Sequence, residues 1–246
     1  MFSIFRRNKS VKVDLSDLGT DMHSHLIPGI DDGSDNVSTS ISLINGLMEL
    51  GYNRFITTPH IMWDMYKNNV STIAAAHRQL QQAITENKLQ VTTRAAAEYF
   101  MDDYFDNLVQ TDSSLLTIRD KWVLVEISFA SAPINFKNNI FQLMIKGYQP
   151  ILAHPERYLY FAANKKLYEE LKYMGCFFQL NLLSLAGYYG KTSQELAHYL
   201  IKKNYIDFLG TDLHHHRHLE TLRTSAQIMD PVKALLDTGK ILNPLL

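Results

Sequence analysis

The sequence predicts an α/β protein in which parallel strands, each followed by a helix, close into a barrel. Two observations predict it. Short β-rich runs alternate with amphipathic helical stretches along nearly the whole chain, as expected of parallel strands covered by helices. Residues able to ligate a metal stand at or just beyond the C-terminal ends of those runs. In a (β/α) barrel such ends converge on one mouth; in an open doubly wound sheet they would spread along a line.

The elements follow in order. A short first strand is expected around Leu18 to Met22. Val37, Ile41, Ile44, Leu47 and Met48 recur at helical spacing, with Ser34, Asp35 and Asn36 as caps before them and Gly51 to end the helix. Arg54 to Thr58 reads as a strand stopped at Pro59, and Ile73, His77, Leu80 and Ile84 mark the next helix. Gln90 to Ala97 is β-rich. Trp122 to Ile127 is nearly continuous in apolar residues, as in a strand covered on both faces. Phe136, Ile140, Leu143 and Met144 form a helix face closed by Gly147. Pro150 to Ala153 is a strand, Leu167 to Met174 a helix closed by Gly175, and Cys176 to Asn181 a strand. A helix through Leu196, Leu200 and Ile201 precedes the last strand, Ile206 to Gly210. That makes seven strands. With no linker, repeat or low-complexity tract, residues 18–246 read as one domain and residues 1–17 as a flexible leader.

Composition narrows the class. The 246 residues are 46% hydrophobic, enough for a sizeable core, and the net charge of −1 gives no global attraction to nucleic acid. The single cysteine, Cys176, excludes a disulfide framework within the chain and lies in an apolar strand. It has Leu182 where a cysteine-dependent phosphatase would need arginine six positions on. No apolar run is long enough to span a bilayer, and the start lacks the pattern of a signal peptide. A cytoplasmic protein is expected.

The chemistry is concentrated in the donors. His23 and His25 are two apart, so an extended chain places both imidazoles on one face, with Asp31 and Asp32 close behind. His60 follows Pro59, Glu98 follows Ala97, Glu126 ends the fourth strand, His154 ends the fifth, and Asp212 and His214 follow the seventh. One H-x-H pair is weak evidence, and each carboxylate alone could be an ion-paired strand end. Beyond that pair, ligand-like segments at five strand ends are hard to assign to chance. Divalent cations take several such donors at ~2.0–2.3 Å. His23, His25, Glu98 and Asp212 suit one cation, Glu98 or Glu126 with His154 a second, and Asp32, His60 and His214 a third. His215 to His218 read mostly as solvated loop, and His77 and His198 as structural or exposed helix residues.

With these residues in place, the chain resembles the PHP (polymerase and histidinol phosphatase) superfamily. Within it, the chain resembles the bacterial tyrosine-protein phosphatases encoded with capsule and exopolysaccharide genes. The matching segments are Asp21-Met22-His23-Ser24-His25, Ile30-Asp31-Asp32-Gly33, Thr57-Thr58-Pro59-His60, Ala97-Glu98-Tyr99, Val125-Glu126-Ile127-Ser128, His154-Pro155-Glu156-Arg157-Tyr158 and Gly210-Thr211-Asp212-Leu213-His214. The resemblance implies a distorted (β/α)7 TIM-like barrel of the PHP type. It implies about three divalent metals at the C-terminal mouth of the strands, with manganese favoured over iron or zinc. It places His23, His25, Asp32, His60, Glu98, Glu126, His154, Asp212 and His214 on metal-ligand positions, and Arg157 on that of an arginine holding substrate phosphate.

The activity so implied is hydrolysis of phosphotyrosine by a hydroxide held between metals. The natural substrate would be the tail of a bacterial tyrosine kinase that controls polysaccharide export, reached at the inner face of the membrane. An oligomer is compatible with this reading. Met62, Trp63, Tyr66, Phe129 and Tyr158 are candidates for the wall around the substrate ring, and Arg217 for a further anionic contact. Asp31 or His216 could protonate the leaving group. Arg157 could instead pair with Glu156 or another acid. The alternatives are a small-molecule phosphatase of the same superfamily, such as one acting on histidinol phosphate, and a weakly catalytic metal-binding partner of a kinase.

Overall fold

A computed structural model describes residues 13–111 and 113–246. Of the leader expected over 1–17, residues 1–12 lie outside the described residues. The remainder is packed, contrary to the expectation: Val13 and Leu15 are buried in the core. The Leu15 N–H donates to the Leu50 carbonyl at 2.7 Å, and Ser16–Leu18 form a 3-10 turn. The folded unit therefore includes Val13.

The strands are β1 (Thr20–Asp21), β2 (Arg54–Thr57), β3 (His60–Ile61), β4 (Thr92–Ala95), β5 (Glu98–Phe100), β6 (Trp122–Glu126), β7 (Gln149–Ala153), β8 (Phe177–Asn181) and β9 (Phe208–Gly210). They form two sheets, ordered β1-β2-β4 and β3-β5-β6-β7-β8-β9, and every pairing is parallel. Beyond the runs expected as the second and third strands the chain breaks and resumes in the other sheet: β3 follows Thr58-Pro59 and β5 follows Ala96-Ala97. Pro59 cannot donate to a ladder, which accounts for the first break. Pairing carries across both. Ala96 N–H donates to Thr57 O at 2.9 Å, and Glu98 N–H to Pro59 O at 3.1 Å. At the other margin, Asp212 N–H donates to His23 O at 2.7 Å and His25 N–H to Leu213 O at 3.0 Å, joining the residues after β9 to those after β1.

The helices are α1 (Val37–Glu49), α2 (Val70–Glu86), α3 (Asp103–Gln110), α4 (Phe136–Ile145), α5 (Lys166–Tyr173), α6 (Leu182–Leu185), α7 (Lys191–Lys202), α8 (His216–Thr224) and α9 (Met229–Asp237). The Asn36 side chain caps α1 by accepting from Thr39 N, and Gly51 beyond its end takes φ +102°, a conformation open to glycine. Asn69 and Thr72 form a reciprocal capping box on α2. Helices α3, α6, α8 and α9 go beyond the elements expected from the sequence.

Alternation along the strands sorts the core into two clusters. Val123, Val125, Leu152, Phe178, Leu180 and Leu209 belong to the larger cluster, shared with helix residues such as Leu43, Leu80 and Leu143. The alternate residues Leu124, Ile151, Ala153 and Phe208 join Met22, Ile56 and Ala96 in a second cluster. Because that cluster takes residues from both sheets, it packs between their facing sides. Trp122, Phe177, Leu242 and Leu246 pack against it as partly buried residues.

Candidate metal centre

Two steps along each inward-facing row, the apolar cluster gives way to polar groups. On β6 the row runs Trp122, Leu124, Glu126; on β8, Phe177, Gln179, Asn181. From β9 it runs Phe208, Gly210 and, just past the strand, Asp212. The period of two therefore stacks a site directly on the apolar cluster. His154 follows β7, and His23 and His25 follow β1.

These side chains converge as their spacing predicts. His23, His25, Glu98 and Asp212 offer ligand atoms all within 4.8 Å of one another, as do His25, Asp32, His60 and His214, and His60, Glu98 and Glu126. The first group is the one expected from the sequence. The second adds His25 to the expected Asp32, His60 and His214. The third differs, with His60 beside the two glutamates. His154 reaches the same glutamates, its Nε2 3.1 Å from Glu98 Oε1 and 3.5 Å from Glu126 Oε1. Eight of the nine expected donors thus meet in overlapping groups, with His154 beside them, and seven of the nine are buried, with His214 and Asp32 more open.

The donors fit divalent cations. Glu98 Oε2 and His60 Nδ1 are buried without a hydrogen-bond partner, an arrangement that is costly unless a ligand satisfies them. Glu98 Oε2 lies 3.3 Å from His23 Nε2, 3.5 Å from His25 Nε2 and 3.2 Å from His60 Nδ1, so lone pairs of four side chains point into one small volume. The imidazoles are held from behind. Asp31 Oδ2 lies 2.8 Å from His25 Nδ1 and also accepts from His60 N, while Asp31 Oδ1 accepts from Gly33 N. His214 Nδ1 donates to Asp212 O at 2.9 Å.

Crowding drives the protonation states apart. Burial, then repulsion from Glu98, pushes the Glu126 carboxyl well above its usual range. Burial would raise Glu98 too, but His23 and His60 outweigh it and hold Glu98 well below. Burial opposes a proton on His23 and His25, yet the carboxylates around them raise both. Burial and the Arg157 guanidinium lower His154 to about 4.

A cavity of about 360 Å³ opens onto these donors. Met62, Met65, Tyr66, Phe100 and Phe129 line it with Arg157 and Tyr189. Arg157 pairs with Asp212 rather than Glu156, Nη1 to Oδ2 at 2.7 Å. Its guanidinium lies 4.6 Å from the Phe129 ring centroid and 4.1 Å from that of Tyr189. Glu156 turns inward instead, accepting from Asn181 N and Ser184 Oγ, and burial raises it to about 7.

Other expected contacts fall elsewhere. Trp63 stacks on Tyr104 at 4.2 Å, outside the lining. Arg217 stands over Tyr188 and is likewise outside it. Tyr158 is fully buried, its hydroxyl accepting from Ile127 N and donating to Ala153 O, so it serves the core. Asp31 is committed to His25, and His216 is exposed at the start of α8 and off the lining; neither faces the cavity as an acid would. The expectation of a solvated loop over His215 to His218 is corrected: His215 caps α8 by accepting from His218 N. His218 is buried and accepts from His214 N, and burial lowers it to about 3. Sequence reasoning did not single out Gln179, Asn181 or Tyr189. Asn181 Nδ2 donates to Asp212 Oδ2 at 2.8 Å.

Fold and donors together define a candidate divalent-metal site at the strand ends of a parallel α/β protein. Residues 19–230 match the family described as capsular polysaccharide synthesis, CpsB/CapC, and the chain belongs to that family. It is 29% identical over 196 residues to the tyrosine-protein phosphatase YwqE of Bacillus subtilis, covering 79% of this chain and 76% of that one. It is 25% identical over 201 residues to the tyrosine-protein phosphatase CpsB of Streptococcus pneumoniae, covering 79% and 82%. The fold superposes with a TM-score of 0.78 and 25% identity, over 92% of this chain and 90% of the other, on a structure from work describing YwqE and CpsB as unique metal-dependent tyrosine phosphatases.

Proposed function

We propose that this protein is a metal-dependent protein-tyrosine phosphatase, as its relatives are named. One observation carries the reading. Buried, convergent histidines and carboxylates, two of whose ligand atoms lack a partner, face a cavity that also holds an arginine and an aromatic and methionine wall. The nine donors would hold up to three divalent cations, manganese first among the candidates, with iron and zinc behind it. We read the two sheets as one distorted seven-stranded barrel, counting β2/β3 and β4/β5 once each. The continuous pairing at both breaks and the bonds joining the ends of β1 and β9 support this.

When bound, the cations supply Lewis acidity toward phosphoryl oxygen and a water of lowered pKa. The chain's own residues do the rest. Arg157 is pinned by Asp212 and by two aromatic faces, which leaves its remaining N–H groups preorganised for two phosphate oxygens as charge develops there. Met62, Met65, Tyr66 and Phe129 enclose the aryl ring. The leaving phenol has a pKa near ~10, so departure as phenolate needs no dedicated acid, in keeping with the placement of Asp31 and His216.

A protein substrate is favoured over histidinol phosphate because the apolar wall continues to the surface, with Phe129 45% and Met65 64% exposed. A tyrosine-kinase tail at the inner membrane face would suit such a mouth; no helix among the described residues is long and apolar enough to cross a membrane. The test is phosphate release from a phosphotyrosine peptide and from histidinol phosphate in parallel, with manganese added. Preference for the peptide, abolished by stripping metal with chelator, is expected. Full activity after stripping would sink the mechanism, and preference for histidinol phosphate would move the substrate.

A further inference from the structure

Gln179 stands in the middle of the inward row of β8, above Phe177 and below Asn181, and is completely buried. Its Oε1 lies 2.7 Å from His23 Nδ1 and 3.3 Å from the backbone N of His154. A backbone N–H can only donate, so the amide atom facing both partners is the oxygen, and an oxygen can only accept. His23 must therefore carry its proton on Nδ1. That leaves the lone pair on Nε2, the nitrogen facing Glu98 at 3.3 Å and Asp212 at 3.4 Å.

The second bond matters for a different reason. His154 has φ +33°, a left-handed conformation unusual for a residue with a side chain. The bond from its N–H to Gln179 holds the turn that swings this imidazole toward Glu98 and Glu126. Room for the arrangement comes from Gly210 on β9: a Cβ there would lie 2.8 Å from both Gln179 Nε2 and His23 Cβ. Gln179 Nε2 itself has no partner, so both bonds of this buried amide run through its oxygen.

We infer that Gln179 is a positioning residue for the metal centre, an inference that rests on His23 and His154 being metal ligands. Its single neutral acceptor fixes the ligating tautomer of His23 and the backbone turn that aims His154. It touches neither substrate nor the reacting atoms. The contrast with His25 is chemical: His25 has the Asp31 carboxylate behind it, whereas His23 has an uncharged amide. A carboxylate raises the basicity of its imidazole more than an amide does, so His23 is the weaker and more readily exchanged ligand of the pair.

The test needs no phosphatase assay, so it stands apart from the functional reading. Metal-free protein is examined by histidine nitrogen NMR at a pH above imidazole titration, and zinc binding is followed by equilibrium dialysis on the wild type, Gln179→Glu and Gln179→Met. The wild type is expected to show His23 as the Nδ1–H tautomer. Gln179→Met should weaken the zinc equivalents held through His23 and His154 by about 10- to 100-fold, while one held by His25, Asp32, His60 and His214 binds as before. Gln179→Glu keeps both accepted bonds and should restore the weakened equivalents or tighten them. A wild-type His23 protonated on Nε2 would overturn the inference. So would wild-type zinc affinities in Gln179→Met, or a Gln179→Glu protein as weak as Gln179→Met. If the methionine variant does not fold, the wild-type spectrum and the glutamate variant decide the matter.

Discussion

The two halves of the interior obey opposite rules, although the same strands build them. Below, Met22, Ile56, Leu124, Ile151 and Phe208 pack as an uninterrupted apolar cluster, whose worth lies in area removed from water. Above, His23, His25, Glu98 and Asp212 are buried just as deeply, where unpaired charge is expensive. One step of two residues separates the regimes, as from Leu124 to Glu126 or Phe208 to Gly210 and Asp212. The lower half makes a rigid floor, and the upper half spends part of that stability on convergence.

The contrast breaks most sharply on removal of metal or of its shared ligand. Glu98→Ala, or stripping with chelator, should reduce turnover to the uncatalysed background while the far-ultraviolet circular dichroism stays native. Substantial residual turnover in metal-free protein would show that the upper half is not a metal site. The reciprocal change belongs to the floor. Leu124→Ala should cost about 2–5 kcal/mol of stability in urea denaturation, with metal stoichiometry unchanged; loss of metal there would mean the halves are not separable. Arg157→Ala should lower kcat by about 100-fold with metal content retained, as kinetics with metal analysis would reveal.

Acidity sharpens the comparison further. In metal-free protein Glu126, His23 and His25 all have raised pKa values, so each tends to hold a proton that a cation must displace. Metal affinity should then climb as pH rises, about tenfold per unit for each proton released, and fall as pH drops. Calorimetry in two buffers of different ionisation enthalpy measures the release; its absence would contradict the raised pKa values of these three groups. The smallest effect lies outside both halves. Asn69→Ala removes the α2 capping box and should cost about 1 kcal/mol, read as a shift in thermal midpoint with unaltered activity.

The legible features were those carried by local pattern. Apolar runs, glycines after helices and donors at strand ends could be read along the chain, and all nine donors do converge. What escaped depends on contacts distant in sequence. Gln179 looks like an ordinary alternating residue of Phe-Phe-Gln-Leu-Asn, since its partner His23 lies 156 positions away. Strands β3 and β5 resume in the other sheet just past Pro59 and Ala96-Ala97, where the runs read as ended, because the change of sheet is a tertiary event. Helix α8 hides in a histidine-rich stretch because its cap is the His215 ring, outside the usual Ser, Thr, Asp and Asn vocabulary. Arg157 stands out in its segment, but its anchor, Asp212, lies 55 residues away and no local pattern pairs the two.

The apolar floor has one more consequence. Trp122, Phe177, Leu242 and Leu246 pack against its far side, so among the described residues the floor beneath the donors is closed. Substrate and freed phosphate would then pass through the mouth of the cavity that opens onto the donors. Traffic there would be sequential: inorganic phosphate has to vacate before the next phosphorylated side chain can enter. Such a vessel, open only at the top, ties the timing of catalysis to its own emptying.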